Sequence, residues 1–567
     1  MLMNEGWGEL PSELLIRIMS YLDAKELAQM GNVNYHWKRV GEDDSLWKPL
    51  FIRDYKLPLD TQLKVYDHWI DEYKLLKFEA PIVLSENLRD YPEGLTHVSF
   101  SSDGRLFCTT AKDGSFKIWT ATHPTYLIHE RYLGETLEWE CALRSQFSPD
   151  CKFLLVSGIK QNDKGEIAVF SIDADEAEVH FSSRVNNSPA DVGGCWYSNS
   201  HLFSSDIFPL HRNSIVGNSV SLIWVCSAAS PWQGASGSVL CPLLRILNQS
   251  GGYCQLMELG RYISTRLRSV AILSRQAILE HTTLSAKMAE LIGDIDEKAA
   301  DRSALVKKRL DALCADIVTG CGACSSNHLG DEDDPKAIFI CCPCSCHEQD
   351  DRLLIYAVGE SDTEPPHSIA LKIIEGTQVT EQLHGSTSTT QPSKSDTDGE
   401  QNQTSTDDQL ASIMSMFDFP DHVIDLKAHI MGLTLSTDQR YLYVNVTHDN
   451  YMGELSFDYL AEVRVINLSS MTFENSYFGH LAQAADRFPC SIGGHYVASA
   501  SLDGGRVWSK EYHCPIGRLQ HNGAASAVAL SPLDGEMLVS VGSTDGRIKI
   551  WTSKKLLTRV TVPNDFM

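Results

Sequence analysis

Apolar side chains recur at helical spacing through residues 7–55, in the segment WGELPSELLIRIMSYLDAKELAQMGNVNYHWKRVGEDDSLWKPLFIRDY. Leu14, Leu15, Ile18, Met19 and Leu22 make one stripe and predict a first helix. Pro11 suits its first helical position, where a missing N–H costs nothing. Asp23 followed by Glu26 has the form of a capping box and opens a second short helix carrying Leu27. Gly31 separates that helix from a third stretch with Val33, Trp37 and Val40, and Leu46, Trp47 and Phe51 fall on a fourth. Tyr66, Trp69, Tyr73 and Leu76 mark a helical connector over 56–79. Below roughly 70 residues a single core is seldom self-sufficient. Part of this apolar surface is therefore expected to meet a partner.

From residue 80 the period changes from helix to strand. LTHVSFSSDGRLFCTTAKDGSFKIW, over 95–119, reads as three strands joined at Asp103-Gly104 and Asp113-Gly114, both hairpin signals. The same unit returns as SAVALSPLDGEMLVSVGSTDGRIKIW over 526–551. Between them lie QFSPDCKFLLVSG with GEIAVFSI, GLTLSTDQRYLYVNV with EVRVINL, and GGHYVASASLDGGRVW. Fainter copies are GGCWYSNSHLFSS with SVSLIWV, and LLIYAVGE with HSIALKII. Such units cannot bury both faces alone and must stack around an axis. The expected organisation is a helical module over 1–55, the connector 56–79, and strands over 80–276, 351–383 and 410–567. A helical and cysteine-rich insertion occupies 277–350. The polar stretch 384–409, almost without apolar residues, reads as a disordered loop. A strand near Pro81 to Leu84 is expected to complete the last sheet and remove an open edge. Helices and strands are expected to act as separate modules, so that a fragment from about residue 80 keeps the strand domain intact.

Composition excludes several classes. The chain has 567 residues, 43% of them hydrophobic, and a net charge of −26. An acidic surface is a poor match to phosphates, so no nucleic-acid partner is expected. No run approaches the roughly 18 apolar residues of a membrane span, and no basic-then-apolar leader opens the chain. With sixteen cysteines and no leader, a reducing, cytoplasmic setting is expected. Cys321 and Cys324 form one Cys-x2-Cys pair, and Cys341 and Cys344 another. Four thiolates so spaced suit one tetrahedral structural zinc, which would leave no open position for substrate. Cys342, Cys346 and His347 crowd the second pair, and reduced, unliganded thiols are the other reading. No nucleophile elbow, phosphate-binding glycine loop or His-Glu-x-x-His is present. A non-catalytic protein is expected.

Leu-Pro, Leu-Leu, Ile, Tyr-Leu, Glu-Leu, Val, Trp and Leu-Trp, in that order through residues 10–47, resemble an F-box. The later units resemble WD repeats. The implied fold is an all-β WD-repeat propeller of about seven blades, some degenerate, preceded by a small all-α F-box module. The combination resembles the F-box/WD-repeat substrate receptors of cullin-RING ubiquitin ligases. The resemblance implies that Leu10, Pro11, Leu14, Leu15, Ile18, Leu22, Leu27, Val33, Trp37, Leu46 and Trp47 bind a Skp adaptor held by cullin-1. It implies that the propeller binds protein substrates for ubiquitination and degradation, centrosome-assembly regulators among them, in the cytoplasm, nucleus or at the centrosome. Asp113, Trp119, Asp503, Trp508, Asp545 and Trp551, with His480 and His521, correspond to the structural Asp, His and Trp of WD blades. His521, Asp545 and Trp551 would form one buried network, and Gly479-His480 would serve the preceding blade in the same way. Alternatives are a WD-repeat scaffold without a ligase and a receptor for cullin-4 through its propeller adaptor. Against cullin-4, the blade ends read Trp119-Thr-Ala-Thr, Trp508-Ser-Lys-Glu and Trp551-Thr-Ser-Lys, without the Trp-Asp-x-Arg of propellers that dock its adaptor.

Overall fold

The computed structural model describes residues 10–561, apart from 90–93, 174–177, 191–192, 210–218, 230–238, 249–253, 262–351, 360–366, 375–416, 448–458, 483–489 and 533–534. Four helices come first: α1 (Ser12–Met19), α2 (Ala24–Met30), α3 (Tyr35–Gly41) and α4 (Asp44–Tyr55). Polar side chains take up the amides that a helix start leaves unpaired. Asp23 Oδ1 accepts from the Lys25 and Glu26 amides at 2.8 Å each, and Glu26 Oε2 accepts from the Asp23 amide at 3.0 Å. Asn34 caps α3 and Asp43 caps α4 in the same manner. Pro11 lies one place earlier than the sequence suggests. Its ψ of 144° is not helical, so it precedes α1, and its carbonyl accepts from the Leu14 and Leu15 amides at 3.1 Å.

The connector is helix α5 (Trp69–Lys74), which runs on into a wider turn over Leu75–Glu79. Glu72 is wholly buried, and its Oε1 accepts from the amides of Lys64, Val65 and Tyr66 at 2.9, 2.6 and 3.1 Å. Three such bonds offset the cost of burying a polar group. The Trp69 amide donates to Asp44 at 2.8 Å and the Tyr73 hydroxyl to Asp54 at 2.7 Å, which fastens α5 to α4.

Seven four-stranded antiparallel sheets follow, the blades of a propeller. Blades 1 to 6 span Leu95–Tyr132, Trp139–Asn186, Cys195–Asn248, Cys254–Asp425, His429–Ala482 and Cys490–Leu519. Blade 7 takes three strands from Ala525–Thr552 and its fourth, Val83–Arg89, from the start of the strand region. Leu84 lies opposite Trp551 in that pairing, so the first strand and the last close the ring. The faint copies near 193–227 and 353–374 are blades 3 and 4. Blade 4 leaves its first strand at Arg261 and resumes at Arg352. The insertion and the polar loop at 384–409 lie outside the described residues.

The expectation of separate modules is corrected. One continuous apolar cluster holds Leu15, Phe51, Trp69, Tyr73, Leu75 and Leu76 from the helices, with Tyr496, Tyr512, Cys514 and Trp551 from blades 6 and 7. Phe51 meets Tyr512 edge-on with ring centroids 4.9 Å apart, and the Tyr496 hydroxyl donates to the Leu75 carbonyl at 3.0 Å. The far end of the chain joins in through a helix over Lys554–Thr561, where Lys555 pairs with Glu79 at 2.8 Å. A break at residue 80 would strip this cover from blade 6. Helices too short to bury their own side chains thus use the propeller as one partner.

Candidate functional site

The stripe on α1 is divided by its helical angle. Leu15 and Met19 turn inward and are buried, as are Leu27, Val40, Leu46 and Trp47. Trp47 donates its indole N–H to the Gly41 carbonyl at 2.7 Å. The outward face carries Leu14 at 49% exposure, Ile18 at 45% and Tyr21 at 83%, with Pro11 exposed at its start. Leu14 and Ile18, four residues apart, share one face of α1, with Pro11 just before the helix and Tyr21 in the turn after it. Val33 and Tyr35 stand exposed at the turn into α3, which packs on α1. Leu10, Leu22 and Trp37 are half-buried at the margin, and the Leu10 carbonyl accepts from His36 Nε2 at 3.2 Å.

The expected adaptor set therefore splits. Leu15, Leu27, Leu46 and Trp47 are corrected to core positions, because side chains this buried have no surface to offer. Pro11, Leu14, Ile18 and Val33 remain on the open face. Tyr21 and Tyr35 belong with them and were missed. For Tyr21 the only signal was its nearness to the Leu14 and Ile18 face, because it stands in the turn after the helix. An exposed apolar patch of this kind marks a contact surface.

The blade residues have different work. In blade 7, Ser540 Oγ accepts the Trp551 indole N–H at 2.8 Å and stands 2.7 Å from His521 Nε2. Its own hydrogen then points to Nε2, which leaves Nδ1–H facing Asp545 Oδ2 at 3.4 Å. Asp545 also accepts from the Asn522 and Arg547 amides. Burial pushes the His521 pKa down to about 4, so the ring stays neutral here. Trp119 in blade 1 uses Thr109 Oγ1 at 3.0 Å instead, and Asp113 ties its turn through the Ser115 amide at 2.9 Å.

Blade 6 departs from the expected triad. His480 stands on the last strand of blade 5 and bonds through Nε2 to Asn445 of the same blade at 2.7 Å, and Trp508 of blade 6 donates to the Phe478 carbonyl at 2.9 Å. Asp503 bonds to Ser501 and pairs with Arg506 and Arg518 at 2.8 and 2.9 Å. His480 meets Trp508 only edge to face, at 5.6 Å. Its place is between two blades, and burial lowers its pKa to about 4. Sequence reading also missed a repeated Ser-x-Asp turn. Ser101 donates to Asp103, Ser148 to Asp150, Ser436 to Asp438 and Ser501 to Asp503, all at 2.5–2.7 Å. Cys321, Cys324, Cys341 and Cys344 lie outside the described residues. Among the described residues, seven cysteines are free thiols.

A small helical module mounted on a seven-bladed propeller resembles the architecture of F-box/WD-repeat proteins, and comparison with known proteins finds likeness in both parts. A family model described as F-box-like matches residues 7–53, and one described as WD domain, G-beta repeat matches 85–120 and 514–552. The chain is similar to F-box/WD repeat-containing protein 5 of Mus musculus, at 28% identity over 98% of this chain and 96% of that protein. The rat protein of that name is 27% identical over 99% of this chain and 97% of its own length, and the human protein 26% over the same shares.

Proposed function

We propose that this chain is the substrate-recognition subunit of an SCF-type ubiquitin ligase. The open apolar patch of Pro11, Leu14, Ile18 and Tyr21 receives a Skp adaptor held by cullin-1, and the propeller holds protein substrates for ubiquitination and degradation. One observation carries the reading: the inner face of α1 is spent on the chain's own core while its outer face stays apolar and open. The contribution to reaction is proximity, a raised local concentration of substrate beside the conjugating enzyme, with no reacting group from this chain. The fused helical and blade core suits that role, because it fixes the distance between adaptor and substrate. The resemblance makes centrosome-assembly regulators the first substrates to examine, and the cytoplasm, nucleus and centrosome the places to look.

Cullin-1 is favoured over cullin-4. Of the three blade ends at Trp119, Trp508 and Trp551, only the last has a basic residue at the right place, Lys554, and its ammonium lies 5.7 Å over the Phe78 ring, engaged within the chain. Lysine is also a poor substitute where a docking arginine makes a planar fork. Immunoprecipitation of the full chain with the proteasome blocked should recover more cullin-1 than cullin-4. Equal or greater recovery of cullin-4 would overturn this preference, and recovery of neither would support a scaffold.

A further inference from the structure

We propose that the Arg144–Glu258 ion pair is a strap that ties blade 2 to blade 4 across blade 3 and keeps that incomplete blade seated in the ring. The first strand of each blade runs nearest the axis. In six blades that strand has four to nine residues, but in blade 3 it has two, Cys195–Trp196. It pairs with only Leu202 and Phe203 of the nine-residue second strand, His201–Pro209. Beyond them the link from blade 2 stands in, with Asn187 Oδ1 accepting from the Ser205 amide at 3.1 Å and the Ser188 amide donating to the Ser205 carbonyl at 2.8 Å. Blade 3 therefore lacks most of the innermost pairing that its neighbours have.

Arg144 lies on the first strand of blade 2 and Glu258 on the first strand of blade 4. Arg144 Nη2 donates to Glu258 Oε1 at 2.6 Å, a short charge-assisted bond between two largely shielded side chains. Other ion pairs stay within a blade: Lys117 meets Glu130 in blade 1 at 3.1 Å, Lys160 meets Glu166 in blade 2 at 2.8 Å, and Arg506 meets Asp503 in blade 6 at 2.8 Å. The Arg144 pair passes over a whole blade. Two local features aim it there. The first strand of blade 2 carries a second bulge, between Ala142 and Arg144, where the other first strands have one or none. A bulge turns the side chain that follows it. Gly193 and Gly194, which lead into Cys195, have φ of 77° and 72°, the left-handed region that favours glycine. A Cβ on Gly193 would stand 3.2 Å from Arg144 Cδ, so bare backbone leaves the arginine its passage over the entry to blade 3. Fixing an arrangement is the best-attested use of shielded ion pairs.

The test is hydrogen–deuterium exchange, followed by mass spectrometry, on the full chain and on its Arg144→Met, Glu258→Gln and doubly substituted variants. Arg144→Met should speed exchange over the blade 3 strands His201–Pro209 and Ser219–Ser227 by roughly tenfold or more, and leave blades 5 to 7 unchanged. Glu258→Gln keeps the side chain's shape and an acceptor oxygen, so it should loosen the same strands to a smaller degree. The double variant should exchange about as fast as Arg144→Met alone, because the second substitution removes a contact already lost. Unchanged exchange in blade 3, equal acceleration in all seven blades, or additive effects of the two substitutions would each overturn the proposal. Should Arg144→Met fail to fold, the milder Glu258→Gln decides by the same local pattern.

Discussion

Ser540 joins two buried groups in the last blade, the Trp551 indole and the His521 ring. Ser540→Ala would leave the indole N–H without an acceptor, at a cost of about 1–3 kcal/mol. Thermal unfolding should show it as a lowered midpoint. The serine was not legible beforehand, because a His, Asp and Trp pattern does not reveal which hydroxyl on a neighbouring strand bridges them. Protonation acts at the same scale. Burial holds His480 and His521 at about 4, below the ordinary value of 6.5. Between those values the unfolded chain binds more protons than the folded one, so these histidines favour folding above pH 6.5 and lose that contribution as pH falls toward 4. A tenfold difference in proton affinity corresponds to about 1.4 kcal/mol, so each ring adds to acid sensitivity, as does His97, which burial pushes down to about 3. Melting of His480→Gln between pH 7 and 4 should depend less steeply on pH than that of the unaltered chain. An unchanged slope would contradict the assignment.

At the scale of elements, helix α4 and the connector decide how the modules meet. Phe51 is fully buried between Trp69, Tyr73 and Tyr512. Phe51→Ala should cost about 3–5 kcal/mol and lower the melting of blade strands and helices together, followed by circular dichroism at helix and strand wavelengths. If the helices melted early and the strands were unaffected, the modules would be independent after all. Much of this level was readable in the sequence. The Asp-Gly turns, the alternation in the terminal units and the Asp23 capping box each gave their element, because each is a local device. The division of Leu14 from Leu15 was not readable, since adjacent residues on one broad apolar stripe face in or out according to what packs nearby. Contact between Phe51 and Tyr512, 461 positions apart in the chain, leaves no local mark at all. The cysteine pairs remain a question for elemental mass spectrometry of the reduced, full-length protein. A site formed by Cys321, Cys324, Cys341 and Cys344 gives about one zinc per chain, lost when all four become serine, and free thiols give none.

For the whole molecule, the ring closes on itself through Val83–Arg89, and the helices are bound into it on one side. The propeller was legible from its repeats. The fixed mounting of the helical module was not, because the connector reads as an ordinary amphipathic segment until blade 6 is known to lie against it. What stays open in this assembly is the outer face of α1, and the central claim is that an adaptor covers it. Leu14 and Ile18 are about half-exposed, so covering each gains roughly 1 kcal/mol. A charge pressed into that contact costs several more, while a half-exposed substitution scarcely alters folding. The decisive measurement is titration calorimetry of purified Skp adaptor against the full chain and its Leu14→Glu, Ile18→Glu variant, with unfolding temperatures taken alongside. The account predicts tight binding by the unaltered chain, at least a hundredfold weaker binding by the variant, and nearly equal stability of the two. Equal affinity of a folded variant would contradict it.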